Sequence, residues 1–458
     1  MFRTISSCLA FAAVLCGAER ADLIVSARYV VTVDPAYRVI ENGEVAVSGS
    51  KILAVGPKAQ IERDYRAARR LDRSDAVLMP GLVNTHTHAA MSLLRGIADD
   101  RNLQDWLEHY IFPAEAKNVS PEFVEWGTKL ACIEMLLSGT TTLTDMYYFE
   151  DVAARAVKQA GMRGVMGQTI IRFPVNDAKT PAEALARTER LLAEFDKDPL
   201  ITAAPAPHAI YTNSDETLKA ARALADRYHA PVVIHVSETE NELRDSLAER
   251  HATPVEALEK LGVLDGPVIA AHCVWLQKED MGILARKHVG VAHCPSSNMK
   301  LSSGAAPIAD LIAAGVRVGL GTDGPAGSNN DLDLMEEMDL AGKLQKLITR
   351  DPTALPARKL VEMATIDGAR VLGLEAKIGS LEPGKCADMI AISLREANAI
   401  PLYDVSSQIV YALKGADVLD VWVNGKQVVS DKHVLTLDAA RVFAKADELA
   451  ARVRESVK

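Results

Sequence analysis

The sequence lacks the cysteine pairs, basic runs and long apolar runs that mark three broad classes of protein. None of its six scattered cysteines forms a CxxC pair, so we expect buried thiols and no disulfide framework. There is no long lysine or arginine run, and the net charge of -10 argues against a nucleic acid partner. No run of about 18 or more apolar residues is uninterrupted, which argues against a stable membrane span. The 458 residues suit one large domain with a smaller one appended.

The N-terminal residues have the order of a secretory signal. "MFRTISSCLAFAAVLCGAER" carries one arginine, an apolar stretch from about Cys8 to Ala18 and then charges, with Cys-Gly-Ala as a small-residue cleavage site. This order predicts an exported, periplasmic protein that loses residues 1–18 as a signal peptide. The alternative is a cytoplasmic enzyme whose start codon lies further downstream, because the folded part begins at "ADLIVSARYVVTVD".

Two textures alternate along the rest of the chain. Residues 19–79 and 385–435 contain short alternating strands separated by turn residues, including the two-residue hairpin turn Asn424-Gly425. In residues 80–384, apolar strand-like runs alternate with helical segments roughly eight times, which predicts an α/β fold, a (β/α)8 TIM barrel. We expect the two terminal β segments to form one small β-sandwich domain beside the barrel. Residues 436–458 form an amphipathic C-terminal helix in this interpretation.

Two histidines one residue apart close the first apolar run of the barrel region. In "PGLVNTHTHAAMSLLRG", a strand would project His86 and His88 from one face while Thr87 points away. Two imidazoles on one face at a strand end are typical of a metal-ligand pair. For an isolated HxH, two surface histidines in a loop are an equally good interpretation, so other residues must decide.

Polar side chains also occur where further apolar runs stop, which is where catalytic residues of such barrels lie. The chain has 11 histidines, and six strand ends carry His86, His88, His208, His235, Glu238, His272, His293 and Asp323. Any one of these could be a histidine or acid satisfied in the core, but their shared position makes coincidence a poor explanation. Three histidines and one aspartate would give a divalent cation nitrogen and oxygen ligands, with one position open for water.

Five segments carry a resemblance to a known family: "NTHTHAAMSLLRG", "HVSETE", "AHCVWL", "HCPSSNMKL" and "GTDG". They resemble the amidohydrolase superfamily, and within it the 5-methylthioadenosine/S-adenosylhomocysteine deaminase group, near the triazine hydrolases. The resemblance runs from about Ala21 to about Ser430. It implies one divalent ion per chain, usually Zn²⁺, with Fe²⁺ or Mn²⁺ as alternatives, held by His86, His88, His235 and Asp323. No lysine stands around Ile170, where a carboxylated ligand for a second ion would be needed.

The same resemblance implies roles for the other residues. His272 matches the histidine that hydrogen-bonds the metal-bound water, and Glu238 matches the acid that meets the ring nitrogen of the base. Asp323 can accept the water proton and pass it to the leaving group, which makes Glu238, His272 and Asp323 the predicted catalytic residues. The predicted substrate-binding residues are Glu115, matching an acid that contacts the ribose, together with His208, Glu238, Trp106 and His293. Core packing is an equally good interpretation of Trp106.

Attack at the carbon beside a protonated ring nitrogen, followed by loss of ammonia, suits C6 of adenine. We therefore expect a hydrolytic deaminase whose small-molecule substrate is an adenosine-type nucleoside: 5'-methylthioadenosine, S-adenosylhomocysteine or adenosine. A deaminase or dechlorinase of a triazine, pterin or oxidised purine is the alternative enzyme. A non-catalytic scaffold is the alternative of another class, disfavoured because every metal ligand is present. A homo-oligomer is also expected.

Two departures from the group concern the substrate. Arginines linked to the carboxylate of S-adenosylhomocysteine are replaced by Gln168, and Arg172 is close but out of register. The loop "GTDGPAGSNNDLD" has one residue more than usual between its aspartate and Ser-Asn-Asn. The missing arginine predicts a higher kcat/KM for methylthioadenosine or adenosine than for S-adenosylhomocysteine. The substitution Gln168→Arg should reduce this difference.

Overall fold

The computed structural model describes residues 18–456, so the predicted signal peptide lies outside this range apart from Ala18. The strands are β1 (Glu19–Val31), β2 (Val39–Ser48), β3 (Lys51–Pro57), β4 (Tyr65–Pro80), β5 (Leu82–Thr87), β6 (Thr140–Tyr147), β7 (Arg163–Ile170), β8 (Ile201–Pro207), β9 (Val232–Val236), β10 (Val268–His272), β11 (Gly290–His293), β12 (Arg317–Leu320), β13 (Met389–Ser393), β14 (Val418–Val423), β15 (Lys426–Ser430) and β16 (His433–Val434).

The α-helices are α1 (Lys58–Asp64), α2 (Leu103–Asp105), α3 (Phe112–Asn118), α4 (Pro121–Leu137), α5 (Glu150–Ala160), α6 (Pro181–Glu194), α7 (Asp215–Tyr228), α8 (Glu240–Arg250), α9 (Pro254–Lys260), α10 (Lys278–Arg286), α11 (Pro295–Lys300), α12 (Ile308–Ala313), α13 (Leu334–Thr349), α14 (Ala357–Ala364), α15 (Ile366–Val371), α16 (Val405–Tyr411) and α17 (Ala439–Ser456). Several helices have a serine or threonine N-cap whose hydroxyl accepts a hydrogen bond from the backbone N–H three residues later. These N-cap residues are Ser120, Thr180, Ser214, Thr239 and Thr253.

Strands from both ends of the chain share one sheet, in the order β16-β15-β14-β13-β4-β1-β2-β3. Strand β4 joins the two sets because it pairs with β1 in parallel and with β13 in antiparallel orientation. Trp422 is fully buried and lies in one apolar cluster with Val45, Leu78 and Met389 from three other strands. The similar texture of the two terminal segments therefore reflects one shared sheet, although helix α1, anchored by buried Ile61, was not predicted.

The hairpin at Asn424-Gly425 forms as predicted. It connects the antiparallel strands β14 and β15, and both turn residues have positive φ, +51° and +80°. Asparagine and glycine tolerate this left-handed backbone, which the tight turn between twisted strands requires.

The middle of the chain forms two four-stranded parallel sheets, β5-β6-β7-β8 and β9-β10-β11-β12. Single parallel bridges connect them at both edges, between Thr87 and Asp323 and between Ala209 and His235. The strand residues are buried almost throughout, which explains why these strands read as continuous apolar runs. The carboxyl ends of all eight strands point the same way, so polar residues just past them meet.

A buried ion pair connects the parallel sheets to the mixed sheet. The Arg163 guanidinium on β7 lies 3.1 Å from the Asp388 carboxylate, which also accepts the Asn424 N–H at 2.6 Å. Both members of the ion pair are almost fully buried. The pair therefore fixes the start of β7 against the hairpin that closes the mixed sheet.

The last helix, α17, runs from Ala439 to Ser456, close to the predicted boundary. Its apolar side is buried at helical spacing, through Val442, Ala446, Leu449 and Val453. Lys117 of α3 donates to the Ser456 carbonyl at 2.7 Å. Within residues 18–456, every helix is too short or too polar to cross a membrane.

A covering segment, defined here as residues 96–118, follows β5 and includes α2, one π-helical turn (Trp106–Ile111) and α3. The Trp106 indole N–H donates to the Ala326 carbonyl at 2.8 Å. The Lys300 ammonium lies 2.5 Å from the Asp99 carboxylate. Gly327, at φ +106°, permits the close approach, because a Cβ there would lie 2.6 Å from the indole nitrogen. The segment is thus held against the loop that follows β12.

Candidate active site

The two histidines of the HxH motif and Asp323 meet at the edge between β5 and β12. Nε2 of His86 lies 3.3 Å from the Asp323 carboxylate, and Nε2 of His88 lies 3.2 Å from the same oxygen. The Asp323 N–H also donates to the His86 carbonyl at 3.0 Å. The parallel bridge between the strands therefore brings these three groups together.

His235, at the end of β9, completes the cluster. Its ring centroid lies 4.9 Å from that of His86 and 5.4 Å from that of His88. Nδ1 of His235 is 2.8 Å from the His208 carbonyl, and Nδ1 of His88 is 2.6 Å from the Met146 carbonyl. An Nδ1–H bonded to a carbonyl leaves Nε2 as the free donor atom, as is usual for metal-ligating histidines.

His86 shows why this donor set fits a metal ion. Its imidazole is fully buried, and neither ring nitrogen has a hydrogen-bond partner among residues 18–456. Burial lowers the pKa of His86 to about 4, so the ring is neutral at physiological pH. A buried neutral imidazole without a well-formed hydrogen bond is costly. A cation that accepts the lone pair of Nε2, the nitrogen 3.3 Å from the Asp323 carboxylate, would satisfy that atom. Ligand atoms of His86, His88 and Asp323 lie within 4.8 Å of one another.

Two groups of the acid–base type stand beside this cluster. Nε2 of His272, at the end of β10, lies 3.9 Å from the Glu238 carboxylate. The Asn298 side-chain oxygen holds Nδ1 of His272 at 3.0 Å. Burial raises the pKa of Glu238 above its usual value. Glu238 is therefore disposed to carry a proton, and His272 has a fixed orientation.

The backbone is strained at three positions in this site. His272, Asp323 and Ser237 have φ of +72°, +61° and +51°, in the left-handed region that side chains with a Cβ rarely adopt. Such conformations cost of order 1–3 kcal/mol each and cluster at functional sites. Two of the three are predicted catalytic residues.

A cavity that is partly open to solvent adjoins the cluster, in the kind of cleft where small-molecule sites occur. Its wall includes eight of the predicted residues: His88, Glu115, Trp106, His208, His235, Glu238, His272 and Asp323. The covering segment supplies much of the opposite wall. The His86 ring, whose centroid lies 4.9 Å from that of His88, does not border the cavity.

His293 is placed differently from the prediction. Its imidazole is fully buried, has no hydrogen-bond partner among residues 18–456 and does not border the cavity. Burial, with the nearby His272, lowers the pKa of His293 to about 3. His293 is the last residue of β11, as His272 is of β10, but only the His272 ring borders the cavity.

Gln168 is also placed differently. The side chain is fully buried, and its amide donates to the Asp177 carboxylate at 2.9 Å while its oxygen accepts the Glu150 N–H at 3.3 Å. Both ends of its amide are therefore used within the protein, and the side chain does not border the cavity. Arg172 is exposed, lines an outer chamber beyond the cavity, and has no ion-pair partner among residues 18–456.

Three residues with a positioning role were not predicted. The Ser297 hydroxyl donates to the Asp323 carboxylate at 2.6 Å, and Asn298 holds His272. The Glu242 carboxylate accepts the N–H groups of Ser237 and Glu238 at 3.0 and 2.9 Å. Ser297 and Asn298 lie within "HCPSSNMKL", directly after a strand end, and that position was the signal available in the sequence.

A profile of the amidohydrolase family matches residues 77–428, most of the chain. The 5-methylthioadenosine/S-adenosylhomocysteine deaminase of Thermodesulfovibrio yellowstonii is 46% identical over 435 residues, covering 94% of this chain and 99% of that protein. The chain belongs to the amidohydrolase family. The resemblance inferred from the five segments is therefore confirmed, and this amidohydrolase is an enzyme, a hydrolase of carbon–nitrogen bonds acting on a small molecule.

Other relatives of this amidohydrolase agree. The 5'-deoxyadenosine deaminase of Methanosarcina barkeri is 44% identical over 94% of this chain and 98% of its own length. A zinc-bound structure of an adenosine deaminase from Xanthomonas campestris superposes with a TM-score of 0.94 at 42% identity, over 96% of this chain and 100% of that chain.

A more distant neighbour bears on the fold alone. The zinc complex of an atrazine chlorohydrolase from Arthrobacter aurescens superposes with a TM-score of 0.85 at 24% identity, over 93% of this chain and 100% of that chain. With the family match, these neighbours establish a TIM-barrel-type α/β fold. The family, the zinc-bound Xanthomonas structure and the histidine donors together support a divalent-metal site.

Proposed function

We propose that this amidohydrolase is a metal-dependent hydrolytic deaminase that converts an adenosine-type nucleoside to the inosine-type product and ammonia. The observation that carries the proposal is the position of Glu238 and His272 beside the donor cluster on the wall of one cavity. The activities named for the Thermodesulfovibrio and Methanosarcina relatives give further support.

The donor set fits one divalent ion per chain, held by His86, His88, His235 and Asp323. Zinc is the metal we propose, because it is present in the Xanthomonas neighbour and prefers such nitrogen and oxygen donors; Fe²⁺ or Mn²⁺ would accept the same ligands. When bound, such an ion lowers the pKa of water to about 7 and so supplies hydroxide at neutral pH. The residues past the end of β7, Ile171 and Arg172, include no lysine for a second ion.

The chain's own residues would move the protons. The Glu238 carboxyl, whose pKa is raised by burial, would donate a proton to a ring nitrogen and make the adjacent carbon electrophilic. The Asp323 carboxylate accepts the proton of the attacking water and returns it to the departing amine. Nε2 of His272, oriented through Asn298, donates a hydrogen bond to the attacking oxygen.

The covering segment and the end of β8 would bind the rest of the nucleoside. Glu115 offers a carboxylate to the sugar hydroxyls, and His208 lies on the neighbouring wall. Trp106 closes the side of the cavity nearest the loop after β12.

We propose a preference for nucleosides without a 5' carboxylate. Ile111, Phe112 and Leu107 make the cavity wall largely apolar, and no lysine or arginine borders it among the described residues. A carboxylate would have to reach Arg172 in the outer chamber, where solvent screens the charge. We expect a kcat/KM for 5'-methylthioadenosine about tenfold above that for S-adenosylhomocysteine.

The test is a panel of substrates with zinc-loaded protein. We expect ammonia release and the purine absorbance change with 5'-methylthioadenosine, 5'-deoxyadenosine and adenosine, and slower turnover of S-adenosylhomocysteine that declines further in Arg172→Gln. Equal or faster turnover of S-adenosylhomocysteine would contradict the preference. Turnover of a triazine or pterin, with none of the nucleosides, would contradict the proposed function.

We also propose that the two parallel sheets form one closed (β/α)8 barrel within residues 80–384. The bridges at both edges of the sheets support this. Residues 19–79 and 385–435 would form one small β-sandwich domain, supported by the cluster around Trp422 and by the Ile52 N–H bond to the Lys385 carbonyl across the curled sheet. Residues 436–458 would form a separate C-terminal helix.

Export and self-association complete the proposal. Residues 1–18 would be cleaved during export to the periplasm, and N-terminal sequencing of periplasmic protein should then begin at or near Glu19. Soluble cytoplasmic protein with residues 2–10 intact would contradict this and favour the cytoplasmic alternative. Sedimentation analysis should give a homo-oligomer, and a nucleic acid partner is not expected at a net charge of -10.

A further inference from the structure

Glu115 enters the cavity from the covering segment with its two carboxylate oxygens in different surroundings. Oε1 accepts a hydrogen bond from the Tyr147 hydroxyl at 2.6 Å. Oε2 has no hydrogen-bond partner among residues 18–456, but this atom is not completely buried. Both residues are buried and border the same cavity. One oxygen is thus taken by the protein, and the other is open to a ligand.

The two residues come from separate elements. Tyr147 is the last residue of β6, one residue past the Met146 carbonyl that accepts from His88. Glu115 lies on α3, whose end is tied down by the Asn176 amide, which donates to the carbonyls of Glu115 and Val119 at 3.1 and 2.6 Å. The helix is therefore fixed through its backbone, and the carboxylate is fixed through Tyr147.

We propose that Tyr147 is a positioning residue for the sugar end of the substrate: its hydroxyl orients the Glu115 carboxylate so that Oε2 accepts the hydrogen bonds of the ribose hydroxyls. The inference rests on the proposed function. In this proposal, β6 has two roles: the Met146 carbonyl holds His88, and Tyr147 contributes to the recognition of the ribose. A short O–H···O⁻ bond is of the strong, charge-assisted kind.

The electrostatics of the pair give a second consequence. Burial raises the pKa of Glu115 to about 7, and the Tyr147 hydrogen bond opposes that rise. The titratable groups that face Glu115 are Tyr147 and Tyr148 from the end of β6 and His88 from the end of β5, with His208 and Glu238 on the same cavity wall. Removing the hydroxyl should therefore raise the pKa of Glu115 further. Sugar binding, which needs the carboxylate, would then fail at a higher pH.

The test compares Tyr147→Phe with the wild type on adenosine and on 2',3'-dideoxyadenosine. Loss of a hydrogen bond to a charged group predicts a kcat/KM for adenosine lower by roughly tenfold to a hundredfold. The value for the dideoxy substrate should change by less than about twofold, because that substrate lacks the hydroxyls that Glu115 would bind. The acid limb of the adenosine profile should move to higher pH.

The matched control is Tyr228→Phe, which removes another tyrosine–glutamate hydrogen bond, to Glu189 at 3.5 Å, away from the cavity. This variant should match the wild type on both substrates. A further check uses Glu115→Gln, in which Tyr147→Phe should add little to the loss on adenosine. Zinc content by elemental analysis should be equal in all variants, which separates positioning from a damaged metal site.

The outcomes separate this inference from the proposed function. Equal losses on both substrates, or an unmoved acid limb, would overturn the role of Tyr147 while leaving the deaminase activity in place. No turnover of either substrate by wild-type, zinc-loaded protein would overturn the proposed function instead. Selective loss on adenosine with the shifted limb supports the positioning role.

Discussion

The strand ends that carry the proposed metal ligands and the covering segment (residues 96–118) face each other across one cavity, but their side chains are held differently. His88 and His235 are fixed through Nδ1 by backbone carbonyls of neighbouring strands. Trp106 and Glu115 are held through single bonds to a loop carbonyl and to another side chain. Strand registers cannot shift without breaking the sheet, whereas a loop or a side chain can.

This difference indicates a division of labour. The strand ends keep the reacting groups in place, so a substitution there should affect the chemistry. The covering segment sets the fit of the substrate, so a substitution there should affect KM more than kcat. Variants on the two sides of the cavity can test this contrast.

The largest effect is expected when a metal ligand is removed. His235→Ala should lose most of the bound metal and lower kcat/KM by at least about 10⁴-fold, since the source of hydroxide is lost with the ion. Elemental analysis should give about one ion per chain in the wild type, and His433→Ala, an exposed histidine, should keep it. Two tightly held ions per chain would contradict the single-ion scheme.

Glu238→Gln should separate the acid from the ligands. The variant should retain full metal content but lose about 10²–10⁴-fold in rate, the usual contribution of general acid–base catalysis. Because burial raises the pKa of Glu238, the wild-type rate should fall as pH rises through that raised pKa, where the proton is lost. This alkaline limb should be absent in the variant. Normal deamination by Glu238→Gln would contradict its role as proton donor.

Asn298→Ala should have an intermediate effect, although Asn298 does not border the cavity. Its side-chain oxygen orients His272, so its loss should lower kcat roughly tenfold to a hundredfold with little change in KM or metal content. Steady-state kinetics with parallel zinc analysis would check this. A variant that loses its metal instead would show that Asn298 supports the ligand cluster and not His272.

The smallest effect is expected on the covering segment. Trp106→Phe removes the indole hydrogen bond to Ala326 and should raise KM by about two- to tenfold, with kcat nearly unchanged. Trp126→Phe is the matched control, because Trp126 contacts Lys129 and Arg441 outside the cavity. If Trp106→Phe lowered kcat by a larger factor than it raised KM, the proposed contrast between the strand ends and the covering segment would be contradicted.

The sequence-based predictions depended mainly on the strand ends on one side of the cavity. The positions of the strand-end histidines and Asp323 could be predicted because apolar runs that stop at a polar residue mark the carboxyl ends of buried strands. His293 follows such a run too, but its ring is fully buried and does not border the cavity. Gln168 lies within β7, two residues before its end, and its amide is used inside the protein by Asp177 and Glu150.

The sequence by itself determined the α/β fold class and indicated that the two terminal β segments belong together, because strand periodicity is a local pattern. It also predicted the polar residues at the strand ends, and the family resemblance implied which of them would be metal ligands. Only the tertiary structure decided which oxygen of Glu115 is free, that Asn298 and Ser297 hold His272 and Asp323, and that Arg172 faces an outer chamber. These depend on contacts between residues far apart in the chain, whose distances are set by the packing of whole elements and leave no periodic signal in the sequence.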